Sequence, residues 1–258
     1  MPDFEDAHNR EINRARRQLM LGTVATGSAL LIEACGAHKK ANAVAAPPDA
    51  DDASDEQQVT ATEDLMREHG VLRRVLLVYA ESALVLRKTP AKIAPESLRK
   101  AAQLFREFGE DYHEKKLEET YIFPVVRKLG GDAATYPDIL VAQHQRGREI
   151  TDFILSVTNG AKLGASHVDA LAKTMDAVVR MYENHAARED TIVFPAWKKS
   201  MTDHQLDEMA DKFEQIERQQ FGHDGFDDAV KRIGVIEGDL GFVDLAQFTA
   251  PPAPTALS

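Results

Sequence analysis

Four segments between residues 60 and 200 repeat apolar side chains at alternating spacings of four and three, which is the period of an amphipathic helix. The clearest stripe belongs to the fourth segment and comprises Leu171, Met175, Val178, Tyr182, His185, Glu189, Ile192 and Ala196. Because this stripe faces a core, it places a histidine and a glutamate in the interior. Four helices of similar length with short connections pack most simply as an up-down-up-down bundle, so the pattern predicts an all-α fold.

Capping and helix-ending residues predict where these helices begin and end. Thr60 and Glu63 have the spacing of a capping box, and Ser166 and Thr202 are the expected N-caps of two later helices. An extra C-terminal helix follows the four bundle helices. The predicted helices run from Thr60 to Thr89, from after Pro95 to Gly130, from about Pro137 to Asn159, from Ser166 onward, and from about Asp203 to Gln219.

Each of the four bundle helices carries a histidine on or near its core-facing side: His69, His113, His144 and His185. Glu189 lies one turn after His185, so both side chains can reach one ion. A buried carboxylate without a partner costs several kcal/mol and usually takes up a proton or a metal. Four imidazoles from four helices can converge only at the bundle centre. Imidazole and carboxylate donors without a thiolate suit iron, manganese or zinc.

A motif that runs from a histidine through a glutamate to Phe-Pro occurs twice, at His113 to Pro124 and at His185 to Pro195. In the first copy, Glu118 follows His113 by five residues, which leaves the pair roughly 140° apart around a regular helix. They can share an ion only if the helix contains a π-bulge. Alternatively, Glu114 supplies the ligand and His113 turns outward, or all three residues bind metal.

The overall composition limits which partners and which types of metal ligand are possible. The 258 residues have a net charge of -11, which argues against nucleic acid as a partner. Cys35 is the single cysteine, so an intrachain disulfide or a zinc ribbon is impossible. Metal ligands, if present, are therefore histidines and carboxylates.

The N-terminal segment is typical of an export signal. The adjacent Arg16 and Arg17 precede a short apolar run from Leu19 to Ile32, as in a bacterial twin-arginine signal. Cys35, at the end of this run, is either a lipidated residue that anchors the protein to a membrane or an ordinary thiol. The protein is therefore expected in the periplasm or cell envelope, and in the cytoplasm if residues 1–40 are not a signal.

The domain organisation follows from these segments. Residues 1–40 form the predicted signal, and residues 41–60 are a disordered linker that contains almost no large apolar side chain. Residues 61–222 are expected to form the four-helix bundle with its fifth helix. Residues 223–258 form a C-terminal extension.

Residues 64–200 resemble the hemerythrin-like, or HHE cation-binding, family. The resemblance rests on the four histidines, the two His/Glu motifs with their Phe-Pro segments, and the sequences around His69 and His144. It implies two iron ions, rather than manganese or zinc, bridged by carboxylates and an oxygen species and open to O2, NO or peroxide. The implied ligands are His69, His113, Glu118, His144, His185 and Glu189, with Glu114 as a further candidate on the second helix.

Arg148 departs from the family pattern, because the oxygen-carrying members have another histidine one turn after the ligand of the third helix. One metal would thus receive fewer imidazoles, which argues against reversible O2 carriage. The leading interpretation is a di-iron module that binds O2, NO or peroxide. The alternatives are a catalase-like enzyme that removes peroxide, and a protein that stores or buffers iron.

Overall fold

Six long helices make up most of residues 59–253, the part of the chain that the computed structural model describes. The predicted export signal, the linker up to residue 58 and Cys35 lie outside these residues. The helices are α1 (Ala61–Lys88), α2 (95–129), α3 (Pro137–Val157), α4 (168–199), α5 (Asp203–Phe221) and α6 (Gly225–Leu240). Short 3-10 turns occur at Pro90–Lys92, Asp132–Thr135 and Leu245–Phe248.

The four helices α1 to α4 form the bundle, and α5 and α6 cover one side of it. Helix α1 packs most extensively against α4, and α6 lies against α1 and α2. Within residues 59–253 the chain contains no strand, so the predicted all-α bundle is confirmed. None of the helices in these residues has the length and apolar character needed to cross a bilayer. The largest fully buried side chains include Trp197, Tyr79, Tyr112, Phe105, Phe108, Phe123 and Phe194.

Two of the predicted N-caps are correct and one is wrong. Thr60 and Thr202 each form a capping box, with Glu63 and Gln205 respectively. Helix α4, however, begins at Val168 and lacks a side-chain cap, so Ser166 is not its N-cap. The reason is a tight turn in which the N–H of His167 donates to the carbonyl of Gly164 at 2.8 Å. This turn leaves Ser166 one residue too early to cap the helix.

Two of the bundle helices contain π-helical segments. Helix α2 is α-helical over Pro95–Leu104, π-helical over Phe105–Ile122 and α-helical again over Phe123–Leu129. Helix α4 has the same order with a shorter π segment: Val168–Arg188, then Glu189–Val193, then Phe194–Lys199.

The Phe-Pro segments account for the place where each π segment ends. The N–H of Phe123 donates to the carbonyl of Glu118, and the N–H of Phe194 donates to the carbonyl of Glu189, each five residues earlier. The following proline cannot donate, and its ring crowds the carbonyl four residues before it. The wider π turn relieves this crowding.

Glu217, on α5, is a half-buried acid that makes the fold sensitive to pH. Its Oε1 accepts from the backbone N–H of Phe226 at 2.8 Å, which ties α5 to the start of α6. Burial, and then the charge of Glu68, raise the pKa of Glu217 to about 8. The folded state therefore favours the protonated form, and this stability is present at low pH and is lost as the pH rises from about 4.5 to about 8.

The Glu217→Gln variant is expected to unfold at a higher temperature than the wild type at pH 8. Glutamine keeps the acceptor for Phe226 and avoids the half-buried charge, so the gain should reach at least about 2 °C, which corresponds to ~1 kcal/mol in a domain of this size. The two proteins should unfold together at about pH 5. Thermal unfolding followed by circular dichroism measures both. Glu208→Gln, an exposed change on the same helix, is the control and should show no such pH dependence.

Candidate metal centre

Four buried histidines, one from each bundle helix, meet at the centre of the bundle as two pairs. His69 on α1 and His113 on α2 form one pair, with ring centroids 4.7 Å apart. His144 on α3 and His185 on α4 form the other, with their Nε2 atoms 3.0 Å apart. All four rings are at most 4% exposed. The predicted convergence of the imidazoles is therefore present in the structure.

Two carboxylates lie between the histidine pairs, and each one faces both pairs. Glu118 places Oε1 3.2 Å from His113 Nε2 and Oε2 3.3 Å from His144 Nε2. Glu189 places Oε1 3.0 Å from His185 Nε2 and Oε2 3.5 Å from His69 Nε2. Each carboxylate thus offers one oxygen to each pair, which is the arrangement that two bridged cations require.

The π segment of α2 explains how His113 and Glu118 come to face the same point. Five residues would separate them widely on an α-helix, but the wider π turn returns nearly to the same face. His113 is 1% exposed and does not turn outward. The structure therefore has the local π-helical geometry that the spacing of His113 and Glu118 requires.

The centre lacks the partners that a buried charged site needs. Among the described residues, none donates a hydrogen bond to either oxygen of Glu118 or Glu189, and His113 Nε2 is also unsatisfied. Both carboxylates are fully buried. Unpaired buried carboxylates cost several kcal/mol, whereas a cation between them and the imidazoles would satisfy every one of these atoms. The residues therefore fit a pair of metal ions.

The two carboxylates also differ in their electrostatics. Burial acts to raise the pKa of Glu118, but the neighbouring imidazoles, His113 first, outweigh it and hold the pKa well below its usual value. Burial and the charge of Glu118 raise the pKa of Glu189 well above its usual value. Two adjacent buried carboxylates do not both ionise without a cation. A metal ion is the partner that allows both to be charged.

The outer nitrogen of every histidine is held by a side chain from another helix. The acceptors are Asp190 for His69 (2.7 Å), Glu68 for His113 (2.5 Å), Glu119 for His144 (2.9 Å) and Gln143 for His185 (2.9 Å). When each ring donates its Nδ1–H to this acceptor, its Nε2 lone pair is left free to bind a metal at the centre. This is the tautomer that a metal-binding histidine needs.

Glu114, the competing candidate on α2, faces other groups. Its Oε1 accepts from the hydroxyl of Tyr182 at 2.7 Å, and its Oε2 lies 3.3 Å from Arg148 Nη2. Oε2 also lies 3.9 Å from His144 Nδ1, the outer nitrogen of that ring. Glu114 is therefore beside the centre and bound to an arginine and a tyrosine, while Glu118 lies between the four Nε2 atoms.

A small cavity opens onto the centre between α1 and α4. Its volume is about 20 Å³, enough for one water-sized molecule. Beyond the histidines and glutamates, its walls are Leu72, Leu76, Arg73, Tyr182 and Ala186. The accessible surface of the cavity is mostly apolar.

Gly147 makes room for Tyr182, and its replacement tests that packing. A Cβ at Gly147 would lie 2.0 Å from the Tyr182 hydroxyl. Gly147→Ala is therefore expected to displace the tyrosine from Glu114 and to lower the unfolding temperature by roughly 2–12 °C, as overpacking of a core does. Gly70→Ala is the matched control on α1, because an added Cβ there meets nothing within 4 Å. It should be neutral or stabilising, since alanine is the better helix former. Equal stabilities of the two variants would contradict this account.

Sequence reasoning located the central residues but missed two of the outer acceptors. Glu68 and Gln143 directly precede His69 and His144, and each reaches across to the histidine of a neighbouring helix. For Glu119 and Asp190, which directly follow the two central carboxylates, the sequence predicts either exposure to solvent or contact with a metal-binding residue. Glu68 and Gln143 could have been found from the sequence, because each is a polar residue next to a predicted ligand.

Comparisons with known proteins identify a cation-binding family. The family model of the hemerythrin HHE cation-binding domain matches residues 135–233, which include His144, His185 and Glu189. Uncharacterized proteins from Mycobacterium bovis and from two strains of Mycobacterium tuberculosis are 40% identical to the chain over 237 residues. The alignments cover 91% of this chain and 90% of each relative. No solved structure matches the chain.

Proposed function

The chain belongs to the hemerythrin HHE cation-binding family, and on that premise we propose that its bundle holds two iron ions and binds O2, NO or peroxide there. The observation that carries the proposal is the position of Glu118 and Glu189. Each is fully buried and unsatisfied, and each directs one oxygen to each histidine pair. One ion would be held by His69 and His113, the other by His144 and His185, and the two carboxylates would bridge them.

The donor set supports iron. One set of possible ligands comprises His144, His185, Glu118 and Glu189, and the other comprises His69, His113 and Glu118, with Glu189 Oε2 3.5 Å from His69 Nε2. The whole chain has one cysteine, Cys35, which precedes the bundle. Histidine and carboxylate ligands with open positions are typical of non-haem iron sites that react with oxygen species. Structural zinc sites, in contrast, are closed by four ligands and commonly use thiolates.

The protein's own residues would select and enclose the ligand. When bound, the iron pair would supply electrons and Lewis acidity to a small ligand. The cavity of about 20 Å³ limits that ligand to a few atoms. Leu72, Leu76 and Ala186 keep bulk water from the centre, and Tyr182, bound to Glu114, places a hydroxyl group in the cavity wall.

A peroxide-removing enzyme is the second candidate, and the presence of two imidazoles at each position favours it. Each position receives two imidazoles, so neither is saturated by protein ligands while the other stays open. Two ions that both keep open positions favour a ligand that spans them over a ligand confined to one. Peroxide has two equivalent oxygen atoms and fits that description.

Reconstitution with iron separates these functions. The purified apoprotein is loaded with Fe²⁺ without oxygen, its metal content is measured, and its absorption spectrum is followed on addition of O2 or NO. The proposal predicts two irons per chain and a reversible spectral change. Oxygen release from added hydrogen peroxide, above that of the same amount of free iron, would assign the enzyme. A protein that retains one zinc and no iron would overturn both.

A further inference from the structure

The two halves of the site correspond residue by residue in most of their outer contacts. His69 is held by Asp190, which Arg73 binds in turn. His144 is held by Glu119, which Arg148 binds at 2.6 Å. In each half the arginine follows the histidine by one helical turn, and the acid directly follows a central glutamate. The ring of Phe194 stacks on His69, and the ring of Phe123 stacks on His144.

The correspondence fails at the acceptors of the other two histidines. Glu68 and Gln143 occupy matching positions, each one residue before a histidine of its own helix. Glu68 Oε2 lies 2.5 Å from His113 Nδ1, and Gln143 Oε1 lies 2.9 Å from His185 Nδ1. One histidine therefore donates to a carboxylate at short distance, and its counterpart donates to a neutral amide.

Glu68 is held firmly in this contact. It is 2% exposed, and its second oxygen accepts from the hydroxyl of Tyr112 at 3.0 Å. Gln143 is only partly buried. Packing alone does not call for a carboxylate here, because burying one costs free energy that a neutral acceptor avoids. The charge does have an effect on the ring, since a carboxylate on Nδ1–H makes Nε2 a stronger donor to a metal.

The remaining charges near the centre do not reproduce this contact in the other half. The acids Asp190 and Glu119 are matched, and each is bound by an arginine. Glu114 has no counterpart, but it lies 3.9 Å from His144 Nδ1, beyond hydrogen-bond distance. That nitrogen already donates to Glu119. Among the hydrogen-bonded acceptors of the outer nitrogens, Glu68 and Gln143 are the one matched pair that differs in charge.

We propose that the two metal positions are unequal, and that Glu68, acting as a positioning residue through His113, makes the position of His69 and His113 the tighter one. This inference rests on the proposed two-metal function. Outer partners of metal-binding histidines commonly change metal affinity by about 10- to 100-fold. The position of His69 and His113 therefore binds metal at least about 10-fold more tightly than that of His144 and His185, and fills first.

A metal titration of four proteins tests the inference: the wild type, Glu68→Gln, Gln143→Glu and the double variant with both changes. Each apoprotein is titrated with Co²⁺, without oxygen, against a chromophoric chelator, and the two binding constants are determined. The wild type should show constants that differ at least about 10-fold. Glu68→Gln should weaken the tighter binding step, and Gln143→Glu should strengthen the weaker one. Each single change should therefore bring the two constants closer together. The double variant should separate them again, with the order of the positions reversed.

The outcomes distinguish this inference from the function on which it rests. Two equal constants in the wild type, or constants unchanged by Glu68→Gln and Gln143→Glu, would overturn the inference and leave the two-metal site intact. Failure of the folded wild type to bind two metal ions would overturn the proposed function itself. Glu149→Gln, an exposed change on the helix of His144, is the control and should leave the ratio of the constants near that of the wild type. Diffraction from crystals with one equivalent of Co²⁺ should place the ion beside His69 and His113, and beside His144 and His185 in the double variant.

Discussion

Glu118→Gln is expected to abolish binding of both metal ions at once. Glu118 directs one oxygen to each histidine pair, so a single change removes a ligand from both positions. Loss of an outer partner already costs about 10- to 100-fold in metal affinity, so loss of a shared ligand should cost at least about 100-fold. Metal analysis after desalting should find two ions in the wild type and almost none in the variant.

The metal-free form of the same variant should still fold as a helical bundle, because glutamine has the size and shape of glutamate. Loss of metal from a bundle that still folds would therefore mark Glu118 as a ligand rather than a structural residue. Glu114→Gln, one turn earlier on α2, is the matched control and should keep two ions. If Glu114→Gln lost the metal and Glu118→Gln kept it, the assignment of the ligands would be reversed.

Removal of the metal is expected to lower the unfolding temperature of the wild type by at least about 10 °C. A ligand present at 1,000 times its dissociation constant stabilises the folded state by about 4 kcal/mol, and two ions act here. In a domain of this size, each kcal/mol corresponds to roughly 2–4 °C. The apoprotein also keeps Glu118 and Glu189 buried without partners. Calorimetry of the loaded protein, before and after treatment with an iron chelator, measures the difference.

Two variants control for effects of the chelator itself. Glu118→Gln should unfold at the same temperature with and without chelator, because it has no metal to lose. His185→Ala removes a ligand from one position, so it should lose at least one ion and show a smaller shift than the wild type. A wild-type protein that contains two metals but unfolds at the same temperature after their removal would contradict the claim that they bind inside the bundle core.

Local sequence signals were sufficient to predict most of the fold. The capping boxes at Thr60 and Thr202 set the starts of α1 and α5 because they depend on residues three positions apart. The start of α4 was predicted incorrectly, because a turn closed by Gly164 and His167 placed Ser166 outside the capping position. The apolar stripes were reliable because burial of one helix face is the main determinant of a bundle.

The centre of the site was also accessible from the sequence, whereas its surroundings were not. Periodicity placed His69, His144 and His185 toward the core. The spacing of His113 and Glu118 demanded a π turn, but its extent over 18 residues of α2 depends on tertiary packing. The contacts of Glu68 and Gln143 cross between helices, so the relative rotation of the helices decides them. A sequence pattern within one helix does not fix that rotation.

Anomalous X-ray diffraction at the iron absorption edge, from crystals of the iron-loaded protein, tests the central claim most directly. We predict two iron peaks per chain, one within bonding distance of His69 and His113 and the other within bonding distance of His144 and His185. The carboxylates of Glu118 and Glu189 should lie between the peaks. A single peak, or peaks bound by other residues, would contradict the account.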